Sequence, residues 1–276
     1  MSWAKSAAVA VAVAVALGLV AVLLLGGCGG PNVSANAKCD GLAFTSDEMP
    51  TAAPQTLVLV ELSRNSQGAR EAVIQAIDPT VTSVVSDGGV VRLLVSGGEG
   101  QAISESACLN GAAAIKVDRN NDETQRNAQD TAVSAIEGDV ADQLEGIKIA
   151  PRGNLSNLLA AAPGELRSLA TASGTDSGAP VSVLLVSDLT SPASRGNCLN
   201  LDGVEASQEV ADAVVARCLE TRQLRKLPAG VALRIVRPQL TPGDSATATL
   251  STFLDKSLCA QLTEGGGCVP GSAGRE

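Results

Sequence analysis

The stretch Thr56-Leu57-Val58-Leu59-Val60-Glu61-Leu62-Ser63-Arg64-Asn65-Ser66 decides the fold. Its first half, preceded by Pro54, is a short run of branched apolar residues with no polar alternation. A strand leaving no side for water is buried on both faces, as in a parallel sheet. After the polar residues, Ala69, Ala72, Val73, Ala76 and Ile77 fall on one helical face over 67–77, and Asp78-Pro79 ends the pattern. Strand followed by helix is the opening of an α/β repeat.

The same alternation continues along the chain. Val90-Val-Arg-Leu-Leu-Val95 reads as a second buried strand closed by Ser96-Gly-Gly98, and 112–117 as a shorter one. Over 121–144, Val133, Ile136, Val140 and Leu144 recur at three or four residues, and Asp122-Glu123 lie where the helix dipole favours acids. Segments 154–162 and 164–171 read as helix on either side of Pro163. Val181-Ser-Val-Leu-Leu-Val186 is the strongest strand signal, ending at Ser187-Asp188. A helix over 208–224 with Val210, Val214 and Cys218 on one face, a strand over 231–236, and a last helix striped by Leu250, Phe253, Leu254, Leu258 and Leu262 complete the pattern. The expected class is α/β: a mainly parallel sheet flanked by helices, a Rossmann-like three-layer arrangement, with no internal repeat and no second domain. The loop 83–89 and the residues after Gly265 are expected to be disordered.

The amino terminus has a different character. One lysine, Lys5, precedes an unbroken run of Ala, Val, Leu and Gly over 7–25, which then exits through Leu25-Gly26-Gly27-Cys28. A basic start, an apolar core and a small-residue exit make a secretory signal. The exit tetrapeptide resembles the lipobox of bacterial lipoproteins, which implies a diacylglycerol on Cys28 and cleavage before it. An uncleaved membrane span is the rival reading, since the apolar run approaches the roughly 20 residues that cross a bilayer. Either places the rest of the chain outside the cytoplasm. The expected organisation is a lipoprotein signal peptide at 1–27, a lipidated Cys28 with a flexible tether at 28–50, the α/β body at 51–264 and a C-terminal tail at 265–276.

Composition narrows the chemistry. Lys5 is the one charged residue of the leader, so without it 19 basic side chains face 29 acidic ones and the net charge moves from −9 to −10. Such a surface repels nucleic acid and anionic headgroups. Beyond Cys28, the six cysteines Cys39, Cys108, Cys198, Cys218, Cys259 and Cys268 fit three disulfides in an exported chain. Separation suggests Cys198–Cys218 and Cys259–Cys268, leaving Cys39–Cys108. With no histidine and no CxxC pair, a zinc site has no ligands to use. Beyond the leader only Phe44 and Phe253 are aromatic, which disfavours sugar stacking, aromatic cages and single-strand nucleic-acid platforms. High Ala, Val and Gly with few lysines suggests a GC-rich genome, such as an actinobacterial one.

Ligands of open parallel sheets gather beyond the carboxyl ends of the strands, here Glu61-Leu62-Ser63-Arg64-Asn65-Ser66 and Ser187-Asp188-Leu189. With the strand-helix order, this resembles a von Willebrand factor type A domain over about 56–262. In that family a divalent cation is held by an Asp-x-Ser-x-Ser motif, a loop threonine and a second aspartate. The resemblance places Glu61, Ser63, Asn65 and Asp188 at four of these positions and Asn154 at the threonine. Glu61, Asn65 and Asn154 depart from the pattern, so the site is degenerate, and Mg²⁺, which demands near-ideal octahedral oxygen geometry, is weakly supported. The expectation is no cofactor, with Glu61 and Asp188 as solvated strand-end residues and Ser63 and Ser66 capping the following helix.

Without histidine neither a Ser-His-Asp nor a Cys-His arrangement exists, and no phosphate-binding loop follows a strand. The expected function is non-catalytic: a membrane-anchored interaction module for an unidentified envelope protein. The alternative is a solute-binding lipoprotein of a transport system.

Overall fold

The computed structural model describes residues 54–61, 66–87, 89–96, 104–105, 122–146, 155–173, 179–189, 198–199, 205–238, 245–264 and 267–269. In chain order the elements are β1 (Gln55–Glu61), α1 (Gln67–Asp87), β2 (Val90–Ser96), β3 (Ser104–Glu105), α2 (Asp122–Gly146), α3 (Leu155–Ser173), β4 (Val181–Ser187), α4 (Gln208–Glu220), β5 (Ala232–Val236), α5 (Ser245–Leu262) and β6 (Cys268–Val269). The fold is α/β. One sheet runs in the order β3-β2-β1-β4-β5-β6, with every pairing parallel except the antiparallel edge pair β2 and β3.

The central strands explain this order. All seven residues of β1 are buried, and in a pleated strand alternate residues serve opposite faces. Leu57 and Leu59 join Leu94, Val183, Leu185, Leu233 and Ile235 in one apolar cluster, covered by α3, α4 and α5. Val58 and Val60 join Val91, Leu93, Val95, Leu184 and Val186 in the other, covered by α1 and α2. Each branched side chain removed from water contributes roughly 1.5–3 kcal/mol, so a strand that loses either helical layer loses half its support.

Two helices depart from the sequence pattern. Instead of ending at Asp78-Pro79, α1 continues to Asp87, and the expected disorder over 83–89 is replaced over 83–87 by its last turns. Val81, Val84 and Val85 are buried in the α1/α2 cluster, while Pro79 lies on the exposed side, where the hydrogen bond a proline cannot donate costs least. Likewise α3 is continuous through Pro163. Conversely α4 stops at Glu220, short of 224. The amide N–H groups of Arg222 and Leu224 return to the carbonyls of Leu219 and Cys218, and Leu224 and Leu227 are buried beyond the turn.

Cys198–Cys218 and Cys259–Cys268 form disulfides, with Cα atoms 5.2 and 5.5 Å apart. Each restricts the unfolded chain by roughly 2.5–3.5 kcal/mol, the longer Cys198–Cys218 loop the more. The second ties α5 to β6, so part of the stretch expected as a tail joins the sheet beside β5. Cys28, Cys39 and Cys108 and the expected strand at 112–117 lie outside the described residues, as do the leader and tether. A polar network fixes α4 against α5. The Gln208 amide donates to Asp212 and to Ser257 Oγ (2.9 and 2.8 Å), and the Ser257 hydroxyl donates to Asp212 at 2.6 Å. These hydrogen bonds, Ser257's first, hold the Asp212 carboxyl below its ordinary value.

Across the other layer, Glu137 of α2 meets Asp78 of α1. Burial first, then the Asp78 charge and hydrogen bond, push Glu137 above its ordinary value of 4.5. The folded chain therefore takes up this proton at a higher pH than the unfolded chain, so Glu137's contribution to stability grows as pH falls from neutrality toward 4.5. Glu137→Gln is expected to melt about 1 °C higher at pH 7, as relief of a like-charge contact implies, with the advantage fading toward pH 4.5. Thermal melts of both chains across that range check this.

Candidate functional site at the carboxyl edge of the sheet

The chain leaves β1 toward α1 on one face and leaves β4 toward the helices of the other face, so the boundary between these adjacent strands is a topological switch point. A crevice outside the carboxyl ends of the strands forms at such a point. Glu61 ends β1, and its register partners are Ser96 at the end of β2 and Ser187 at the end of β4. By alternation from Leu59, Leu94 and Leu185, all three point toward the layer of α3, α4 and α5. They close the apolar column of that face with a row of polar groups.

Contrary to expectation, neither Glu61 nor Asp188 is solvated: Glu61 is 0% exposed, as is Ser187, and Ser96 and Asp188 are 5% and 9% exposed. A buried carboxylate needs hydrogen bonds, and the Ser187 hydroxyl donates to Glu61 Oε2 at 2.5 Å. The same Ser187 oxygen accepts the amide N–H of Leu189 at 3.0 Å. Ser187 thus links the turn after β4 to the end of β1. At the opposite end of these strands, another register pair repeats the arrangement: Thr56 Oγ1 and Ser182 Oγ are 3.0 Å apart.

The turn itself is strained. Leu189 has φ 54°, in the left-handed region that costs a non-glycine residue roughly 1–2 kcal/mol. It is held there from two sides. Its amide is bound by Ser187, and its side chain is buried with Leu155 and Leu199. Asp188 sits between the two pinned residues, and the buried Ser156 lies in the first turn of α3.

For the degenerate cation site, the structure brings Glu61 and Asp188 to the same edge, whereas Ser63, Asn65 and Asn154 lie outside the described residues. Ser66 precedes α1 and caps it, accepting the Ala69 amide N–H at 3.2 Å, as read from the sequence. The described donors fit a magnesium ion poorly. Glu61 is fully enclosed, with one carboxylate oxygen engaged by Ser187, and among the described residues no three acidic or thiol side chains converge. Ser187 and Ser96 are the residues that sequence reasoning left without a role. Their signal was positional: each is the terminal polar residue of an apolar strand, in register with Glu61 once the strand order is known.

No protein-family model matches the chain, and no curated protein matches it. Among solved structures, proximal thread matrix protein 1 from the mussel byssus is similar over 75% of this chain and 48% of its own, at 12% identity and a TM-score of 0.35. The manganese-loaded TRAP protein of Plasmodium vivax is similar over 75% of this chain and 63% of its own, at 13% identity and a TM-score of 0.30. The chain therefore spans less than two thirds of either protein's length.

If Ser187 is what Glu61 depends on, Ser187→Ala costs about 2 kcal/mol, because it leaves a buried carboxylate short of a donor. Adding it to Glu61→Ala then costs much less than the sum, with a coupling of about 1–2 kcal/mol in a double-mutant cycle. Urea unfolding of the four oxidised chains measures this, and additivity within about 0.5 kcal/mol would contradict it.

Proposed function

We propose that this chain is a bacterial lipoprotein anchored outside the cytoplasm through Cys28, whose body is a von Willebrand factor type A-like, non-catalytic protein-interaction module working without a metal. In this reading residues 1–27 are removed, 28–50 tether the body, and the turns at the carboxyl edge meet an envelope protein. The observation that carries it is the Ser187-Asp188-Leu189 turn at the switch point. A left-handed leucine is tolerated only where the surroundings over-determine it, and such positions cluster at ligand clamps. A turn held this rigidly presents its neighbourhood with little ordering cost on binding.

Two further features favour this reading. The strand order β3-β2-β1-β4-β5-β6, with an antiparallel edge, suits the proposed family, and the carboxyl edge that this reading takes as the contact surface carries Glu61 and Asp188. A single sheet carrying both apolar clusters of the described residues fits a one-lobed interaction module better than a two-lobed solute receptor. The enclosure of Glu61 favours a metal-free edge.

The test has two parts. Intact mass of the membrane-extracted chain is expected to show loss of residues 1–27 and a diacylglycerol on Cys28; an unmodified, unprocessed chain would sink the anchor. A photo-crosslinker in place of Gln67, exposed at the start of α1 on the carboxyl edge, compared with one in place of the exposed Gln75 farther along α1, is expected to give a discrete adduct from the first position alone. The same adducts from both positions would remove the carboxyl edge as the contact surface.

A further inference from the structure

The charge of this chain is unevenly placed. Between Arg217 and Lys226 stand Arg217, Arg222, Arg225 and Lys226 against one acid, Glu220, in a protein whose net charge is −9. All four basic residues are exposed. They occupy the last turn of α4 and the connection into β5, which lies at the amino edge of the parallel sheet because β5 runs parallel to β4 and β1. Beyond the end of α5, Glu264 reaches this region and pairs with Lys226 at 2.7 Å, both more than half exposed. The arginines Arg217, Arg222 and Arg225 then outnumber Glu220.

Connectivity and backbone cost together give this patch a partner. The chain enters the described body at Pro54, whose carbonyl accepts the Val90 amide N–H, while the Gln55 amide donates to the Pro180 carbonyl. Entry is therefore at the amino edge, the same edge as the basic turn. Only 25 residues separate Cys28 from Pro54, a span of at most about 90 Å even when fully extended. As for the backbone, Arg222 has φ 59° immediately after the helix cap at Thr221, the position where helices commonly end in glycine. An arginine stands where glycine would relax the turn, and its side chain is exposed.

We infer that the Arg217, Arg222, Arg225 turn is a docking surface for anionic lipid headgroups. It turns the amino edge of the sheet toward the bilayer and the Glu61 and Asp188 edge away from it. This rests on the anchored reading proposed above. Net charge alone argues against headgroup contact, but attraction to a charged surface acts within a Debye length of about 8–10 Å, so the local patch decides. Each basic residue close to an anionic surface favours contact roughly fivefold, so the two net positive charges favour it on the order of 30-fold. The anchor confines the body near the membrane, where that preference suffices.

The experiment uses the full chain reconstituted into phosphatidylcholine vesicles with and without about 30% phosphatidylglycerol, at about 0.1 M salt. Retention on neutral vesicles reports the anchor alone. Hydrogen exchange of the amides over 221–230, compared between the two vesicle types, reports the basic turn. Exchange slowed roughly tenfold or more by the anionic lipid, and restored by about 0.5 M salt, is the expected result. Arg222→Gly separates charge from folding: it is expected to raise the melting temperature by relaxing the turn while weakening the protection about fivefold. Equal exchange on both vesicle types overturns the docking surface and leaves the anchor intact. Failure to be retained on neutral vesicles overturns the anchor and this inference with it.

Discussion

A strand with no solvated face sets the terms for the rest of this molecule. Every residue of β1 is buried, so apolar side chains must be matched by a helical layer on each side and polar ones by a hydrogen bond from a neighbouring strand. The first demand fixes the three layers, with α1 and α2 on one face and α3, α4 and α5 on the other. The second fixes the strand ends. Thr56 meets Ser182 where β1 begins, and Glu61 meets Ser187 where it ends. Register and polarity therefore agree, since slipping β4 by one residue would turn Ser187 to the opposite face and bring Val186 opposite Glu61.

The same constraint links the core to the candidate site. Ser187 satisfies Glu61 while receiving the Leu189 amide, and Leu189 fills the apolar cluster beneath. The left-handed turn carrying Asp188 is thus supported by both a hydrogen bond and packing. Rigidity at this edge contrasts with the exposed basic turn after α4, where a left-handed Arg222 has no comparable burial. The two turns lie at opposite ends of the strands, as the two proposed partners require: an envelope protein at the carboxyl edge and the bilayer at the amino edge.

Much of this was legible in the residues. Continuous apolar runs gave β1, β2 and β4, since a strand buried on both faces has no other signature, and three-to-four spacing gave α2 and α5. The pairings Cys198–Cys218 and Cys259–Cys268 followed from proximity along the chain. The continuation of α1 past Pro79 was not legible: a proline normally ends a helical pattern, and only the burial of Val81, Val84 and Val85 against α2 outweighs it. Nor was the enclosure of Glu61. Glutamate at a strand end reads as solvated until the strand order sets Ser96 and Ser187 on either side. Ser63 and Asn65 gain no structural account from the described residues.

Glu61 is tied to the sheet through Ser187, and we propose that it is not held ready for a cation. Calorimetric titration of the oxidised, metal-free full chain with Mg²⁺ and with Mn²⁺, beside Glu61→Ala and Asp188→Ala, tests this most directly. No saturable heat is expected for any of the three chains. Saturable binding by the unmodified chain that is lost in both variants would contradict that role and restore a cation-dependent contact at this edge.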